Sequence, residues 1–177
     1  ITLAETGSFT GLRIGLATAK MLSYALSIPV VAVSSLEAMA YHYPVPGVYV
    51  ASVLDAQKSN AYFALYEWNG KGFDEKKQTC VMDFEEVVKY CSTLDKPVVF
   101  VGDIAQKKAD IIAQYENVSL GLPHLCMPRA SNVAMAAKAR FENEDYDNIM
   151  DLEPVYIRRS EAEVLWEKRH GEKLTDL

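Results

Sequence analysis

Cysteine is scarce in this 177-residue chain. The three present, Cys80, Cys91 and Cys126, are odd in number and widely spaced, and no two stand as Cys-x-x-Cys. Neither a disulfide framework nor a cysteine-bound zinc is therefore indicated, and the thiols read as buried residues in a reducing compartment. Histidine is equally sparse. His42, His124 and His170 are isolated, and without a second His at i+4 no two imidazoles share the helical face that a His-x-x-x-His metal site needs. Basic residues are outnumbered, 18 Lys and Arg against 24 Asp and Glu, for a net charge of -6. Such a surface does not by itself supply the dense cationic contacts that neutralise a nucleic-acid backbone, so any RNA would be held by a partner. The longest apolar runs are too short and too broken by Gly, Ser or Lys to span a bilayer, so no membrane contact is expected. Ile1, Thr2, Leu3 and Ala4 run straight into Glu5 with no basic residue before them; no export pattern is read there, and a cytoplasmic location is expected.

What the chain does have is enough apolar character, 50% of residues, to bury a sizeable core. Residues 1–4 read as the end of a buried strand, followed by a helix over about 8–27 and, after Pro29, a β-branched strand at 30–33. Ser34 with Glu37 three residues on forms a capping box for a helix to about Tyr41, which Pro44, Pro46 and Gly47 end. That places a lobe boundary between 1–44 and 45–177. Strands at about 48–54 and 61–68 follow, then an Asn69-Gly70 turn and a third strand, which make an antiparallel meander. Asp83 and Glu86 form a second capping box for a helix to about Cys91; a strand at 98–101 closes at Gly102, and a helix over about 104–115 comes next. Ser131 caps an Ala-rich helix to about Glu142, and the acidic stretch 144–151 reads as a solvated connection. Strands, then strand and helix in alternation, predict an α/β architecture with a mixed sheet.

The most informative segment is Gly7-Ser8-Phe9-Thr10-Gly11-Leu12-Arg13-Ile14-Gly15. Three glycines four apart weaken a helix unless another backbone approaches closely. The spacing continues through Ala19 and Ser23, giving a small-residue ridge, with Phe9, Leu12, Leu16 and Leu26 on one flank and Ile14, Met21 and Tyr24 on the other. Arg13 and Lys20 are its only charges. A helix this apolar needs cover on two sides, one from its own sheet and the other from more of this chain or from another protein. Phe9, Gly11, Leu12, Gly15, Leu16, Ala19, Lys20 and Ser23 are accordingly the candidate partner interface.

Catalytic readings find less support. The helix start lacks a Gly-Lys-Ser/Thr ending and a Gly-x-Gly-x-x-Gly spacing, so Ser8 or Thr10 reads as a cap and not as a phosphate ligand. Ala56, Gln57 and Lys58, after Asp55, offer no glycine to admit a phosphate against the backbone. His124 and Cys126, two apart on an expected strand, have no third group to orient them. Asp55 and Asp103 each follow a strand, where ordinary turn chemistry accounts for them, and Arg158 and Arg159 beside Tyr156 read as surface charges near Glu161 and Glu163. No catalytic or metal-binding residue is expected.

The nine residues from Gly7 to Gly15 match without a break the signature of the TsaB (YeaZ) family, with Glu5 and Thr6 where that family has Gly-Pro. Ser34-Ser35-Leu36, Asp55-Ala56, Pro154-Val155-Tyr156-Ile157-Arg158 and Glu161-Ala162-Glu163 extend the likeness in the same order, so the chain resembles that family over most of its length to about residue 169. The resemblance implies an actin-like (ASKHA) fold of two RNase H-like lobes, with the opening strands of the first lobe lying before Ile1 and that lobe incomplete in this sequence. It implies a non-catalytic scaffold in the system that makes N6-threonylcarbamoyladenosine in tRNA, next to the anticodon. Its partners would be a TsaD-like transferase, a TsaE-like ATPase or a second copy of itself, with tRNA met only through the complex. No cofactor is expected in this chain, although the wider system uses ATP. The alternative is an ATP-dependent sugar-kinase-like or glycoprotease-like (M22-type) enzyme of the same superfamily.

Overall fold

The structure is a computed structural model describing residues 2–3 and 9–153. It opens with strand β1 (Thr2–Leu3), helix α1 (Phe9–Leu26), strand β2 (Val33–Ser34) and helix α2 (Ser35–Ala40). β1 and β2 pair in parallel, with Thr2 opposite Val33 and Leu3 opposite Ser34, as a strand, helix, strand unit requires. Ser34 caps α2, its Oγ accepting from the Leu36 amide at 3.2 Å.

A five-stranded mixed sheet follows: β3 (Tyr49–Asp55), β4 (Asn60–Trp68), β5 (Phe73–Asp83), β6 (Val98–Val101) and β7 (Val118–Leu120), in the order β5-β4-β3-β6-β7. The meander is antiparallel, while β3, β6 and β7 run parallel. Between them lie α3 (Phe84–Ser92), α4 (Asp103–Lys107) and α5 (Ala109–Ile112); a 3-10 turn (Pro123–Leu125) and α6 (Ala130–Glu142) come last. Asp83 caps α3, its Oδ1 accepting from Glu85 and Glu86 at 2.9 and 3.4 Å. Asn69 shapes the β4–β5 turn by accepting from the amides of Lys71 and Gly72 at 3.0 and 2.9 Å.

Alternation along the strands divides the side chains between two covered faces. Ala51, Val53, Phe63, Leu65 and Phe100 meet Phe84, Val87 and Val88 of α3 with Ile104 and Ile112. On the other face Val50, Leu54, Tyr62, Ala64 and Tyr66 meet Leu36, Met39 and Ala40 of α2. α6 then covers α2, with Ala136 packing on Ala38 and Val33. The result is a helix, sheet, helix sandwich to which α1, β1 and β2 are joined.

Three expectations are corrected. The helix expected over 104–115 is broken at Lys108, whose backbone (φ -118°, ψ 34°) has left helical geometry, and it ends at Ile112, where a turn leads to β7. α6 begins at Ala130 after Arg129, so Ser131 lies inside its first turn and makes no cap. Residues 144–151 are exposed at six of eight positions, as a solvated connection would be, but they are not a loose one. Asp147 bonds to the backbone beside β2, and Ile149 packs into a small core under α1.

Candidate functional site

α1 presents two different sides. Leu16 is 7% exposed, in a cluster with Val30 and Leu152 and with Ala32 and Ile149 at its margin. Ser23 is 5% exposed; its Oγ donates to the Ile28 carbonyl at 2.6 Å while Ile28 N donates to Ser23 O at 3.1 Å. With Ser27 at φ 53°, these bonds close the helix end. Leu12, Ala19 and Lys20 are half-buried beside this seam, and Lys20 Nζ reaches the Met150 carbonyl at 3.4 Å.

The other side is open and apolar. Ile14, Met21, Leu22, Tyr24 and Leu26 are all between 53% and 69% exposed, and Ile28 adds to them just past the helix end. At about 100° per residue, Ile14 and Met21 stand roughly 160° and 140° round the axis from Leu16, nearly opposite the seam. A Cβ built on Gly15 would meet nothing within 4 Å. The small-residue ridge therefore splits, because residues four apart advance about 40° beyond one full turn and the ridge spirals. Gly11 and Gly15 lie on the open side, Ala19 at its margin, and Ser23 under the chain itself. Of the expected interface residues, Leu16 and Ser23 are thus taken up by the chain's own packing. The large exposed side chains the set omitted, Ile14, Met21, Leu22, Tyr24 and Leu26, carry the free apolar surface. Gly7, Ser8 and the motifs from Pro154 onward, with Arg158, Arg159 and His170, lie outside the described residues, as does the side chain of Phe9.

A second constellation sits at the carboxyl ends of β3 and β6, where open α/β sheets bind ligands. Asp103 Oδ1 accepts from the Asp55 amide at 3.0 Å, and Lys107 Nζ joins Asp55 Oδ2 and Asp103 Oδ2 at 3.0 and 2.9 Å. The Gln57 amide, donating to Asp55 Oδ1, and then Lys107 hold the Asp55 carboxyl below the usual carboxylate range. Bonds to Asp103 first and Asp55 second push the Lys107 ammonium up. These Asp residues do more than turn the chain, and the missed signal was Lys107, which lies four residues after Asp103 and so on its face of α4. Gln57, Lys58 and Ser59 all have positive φ, so the β3–β4 turn is tightly wound next to this ion group. The group fastens that turn to α4; both carboxylates are already paired with a cation supplied by the chain.

The other sequence candidates stay apart. His124 lies in the 3-10 turn that Cys126 ends, not on a strand. His42 is held through Nε2 by the Met127 carbonyl at 2.9 Å and through Nδ1 by Asn132 Nδ2 at 3.1 Å. Among the described residues no group of three or more His, Cys, Asp or Glu could hold a metal ion, and no helix is long and apolar enough to cross a membrane.

Comparison with known proteins gives this geometry its context. The model of the family described as TsaD, tRNA N6-adenosine threonylcarbamoyltransferase, matches residues 5–166. The tRNA threonylcarbamoyladenosine biosynthesis protein TsaB of Bacillus subtilis is 32% identical over 167 residues, covering 90% of this chain and 69% of that protein. The Escherichia coli protein of the same name is 28% identical, covering 94% and 72%. Among solved structures, YeaZ from Pseudomonas aeruginosa superposes with a TM-score of 0.68 at 23% identity, covering 85% of this chain and 68% of that one. A second structure from that organism, described as similar to peptidase YeaZ, gives 0.69 at 24%, covering 86% and 69%. The structural likeness carries the fold, consistent with the actin-like superfamily, and the sequence matches carry the kinship: this chain belongs to the TsaB (YeaZ) family of tRNA threonylcarbamoyladenosine biosynthesis proteins.

Proposed function

We propose that the chain is a non-catalytic subunit that docks a TsaD-like transferase through the open side of α1, and so supports N6-threonylcarbamoyladenosine formation at the adenosine beside the tRNA anticodon. The observation that carries this reading is the set of exposed apolar side chains, Ile14, Met21, Leu22, Tyr24 and Leu26, spread over roughly 200° of one 18-residue helix and centred opposite Leu16. Five large side chains left in water on one element forfeit burial worth about 1.5–3 kcal/mol each, which a partner recovers by covering them. The acidic balance of the chain agrees with tRNA being held elsewhere in the complex. A TsaE-like ATPase would join the same assembly, and self-pairing would use the same side of α1.

The test is the affinity of the full chain for its TsaD-like partner. Met21→Glu, which alters a side chain that is 63% exposed, is expected to weaken binding at least about tenfold. Unchanged affinity for both Met21→Glu and Tyr24→Glu would reject this face. ATP turnover by the isolated full chain would instead favour the enzyme reading.

A further inference from the structure

We infer that Arg140 and Asp147 are positioning residues: they form a clamp that seats α1 and thereby sets the geometry of its outward face. The functional half of this inference rests on the docking role proposed above; the structural half stands on the clamp alone.

The seat under α1 is small. Leu16 packs on Val30 and Leu152, with Ala32 and Ile149 at the edge. Two of these five, Ile149 and Leu152, come from residues 143–153 after α6, which form no strand or helix to fix them. Asp147 fixes them. Its amide donates to the Val30 carbonyl at 2.9 Å, and its Oδ2 accepts from the Ala32 amide at 2.7 Å, so one residue satisfies the backbone on both sides of residue 31. Arg140, on the last turn of α6, then closes the arrangement. Its Nη1 donates to Asp147 Oδ2 and to the Ala32 carbonyl, both at 3.2 Å, and its Nη2 donates to Asp147 Oδ1 at 3.1 Å. Its Nε and Nη2 also reach Asp145 at 2.7 and 3.4 Å. A fork of fixed donors suits this task, which a lysine's single ammonium cannot perform.

The consequence follows from what each contact holds. Removing the Asp147 carboxylate orphans the Ala32 amide and half of the guanidinium, and it frees the chain that carries Ile149 and Leu152 to Leu16. It also loosens residues 148–152, where the Met150 carbonyl receives Lys20 from α1. The five-stranded sheet draws its core from other side chains, so its own stability does not depend on this clamp. Asp145 is a different case: among the described residues its bonds go to Arg140, from an exposed position.

Hydrogen exchange of the full chain, read peptide by peptide, tests the seat. In Asp147→Ala the amides of residues 9–26 are expected to exchange about tenfold faster or more, while those of β3 and β4 keep their wild-type rates. Asp147→Asn keeps an oxygen for the Ala32 amide and is expected to fall between, and Asp145→Asn to stay close to wild type. If Asp147→Ala does not fold, Arg140→Lys reports instead, with the same rise confined to α1. Unchanged exchange in α1, or an equal rise across the whole chain, overturns the clamp. An Asp145→Asn effect as large as that of Asp147→Ala overturns the assignment to the Ala32 contact. For the functional half, Asp147→Ala is expected to weaken affinity for the TsaD-like partner several-fold with every outward α1 side chain intact. Faster α1 exchange with unchanged affinity, where Met21→Glu does abolish binding, overturns the link between seat and docking. Where Met21→Glu and Tyr24→Glu are both silent as well, the docking reading is what fails.

Discussion

Lys107 meets Asp55 across the ends of two adjacent parallel strands, Nζ to Oδ2 at 3.0 Å, and the same ammonium reaches Asp103 at 2.9 Å. Replacing it with methionine leaves two carboxylates facing each other without their cation. Because Lys107 is more than half exposed, solvent screens the pair, and Lys107→Met is expected to cost about 0.5–1 kcal/mol at neutral pH. The sign of the pH dependence is fixed by Asp55. Its carboxyl titrates below the ordinary value of 3.8 when folded, so the contribution is present above that value and disappears as pH falls through the lower, folded one. Urea unfolding of wild type and Lys107→Met should therefore differ at pH 7 and draw together as the pH is taken below 3.8.

Gly102 tolerates no side chain. Its φ is 131°, and an added Cβ would lie 1.6 Å from the Val53 carbonyl oxygen, one residue past the last β3–β6 pair of Ser52 with Val101. Gly102→Ala is expected to destabilise by about 3 kcal/mol or more, since β3 must shift and break pairing that the core depends on. The urea midpoint checks this, and a variant recovered only as aggregate meets the same expectation.

Gly15 is the opposite case. It lies within α1 with open space where a Cβ would go, so Gly15→Ala is expected to stabilise the helix by about 0.5–1 kcal/mol, read as slower amide exchange in residues 9–26. Gly15→Leu keeps the helix and changes the outward contour alone. A loss of partner affinity in the leucine variant but not in the alanine variant would mark close approach at this position.

Burial pushes the Cys91 thiol up to about 12, with Lys77 offsetting part of the effect, so almost no thiolate forms near neutrality. Iodoacetamide at pH 8 is expected to leave Cys91 unmodified in the folded chain and to label it fully in urea, as intact and peptide masses would record.

Local signals were the legible part of this fold. Ser34 and Asp83 announced their helices because a cap is written within four residues, and β3, β4 and β6 announced themselves by apolar alternation or β-branched runs. What the sequence hid is non-local. β7 is three residues long, too short for a period to register, and it exists because β6 offers an open edge. The stretch around Asp145 and Asp147 looks solvated when its charges are counted, because Arg140 pairs with them only after the chain turns back toward Val30 and Ala32. The small-residue ridge was seen, but its drift round the helix was not: the same spacing that marked Gly11 and Gly15 carried Ser23 to a buried position.

α2 belongs by covalent bond to the opening unit and by packing to the five-stranded sheet, where Leu36, Met39 and Ala40 are sealed against Val50, Leu54 and Tyr66. A cut in the chain at the Pro44–Gly47 turn would therefore strip one whole side of the sheet and leave those strands insoluble. The opening unit is fastened to the same body a second time, where Asp147 and Arg140 hold Val30 and Ala32, so the covalent link at Ser34 and Ser35 is one of two attachments and no lone pivot.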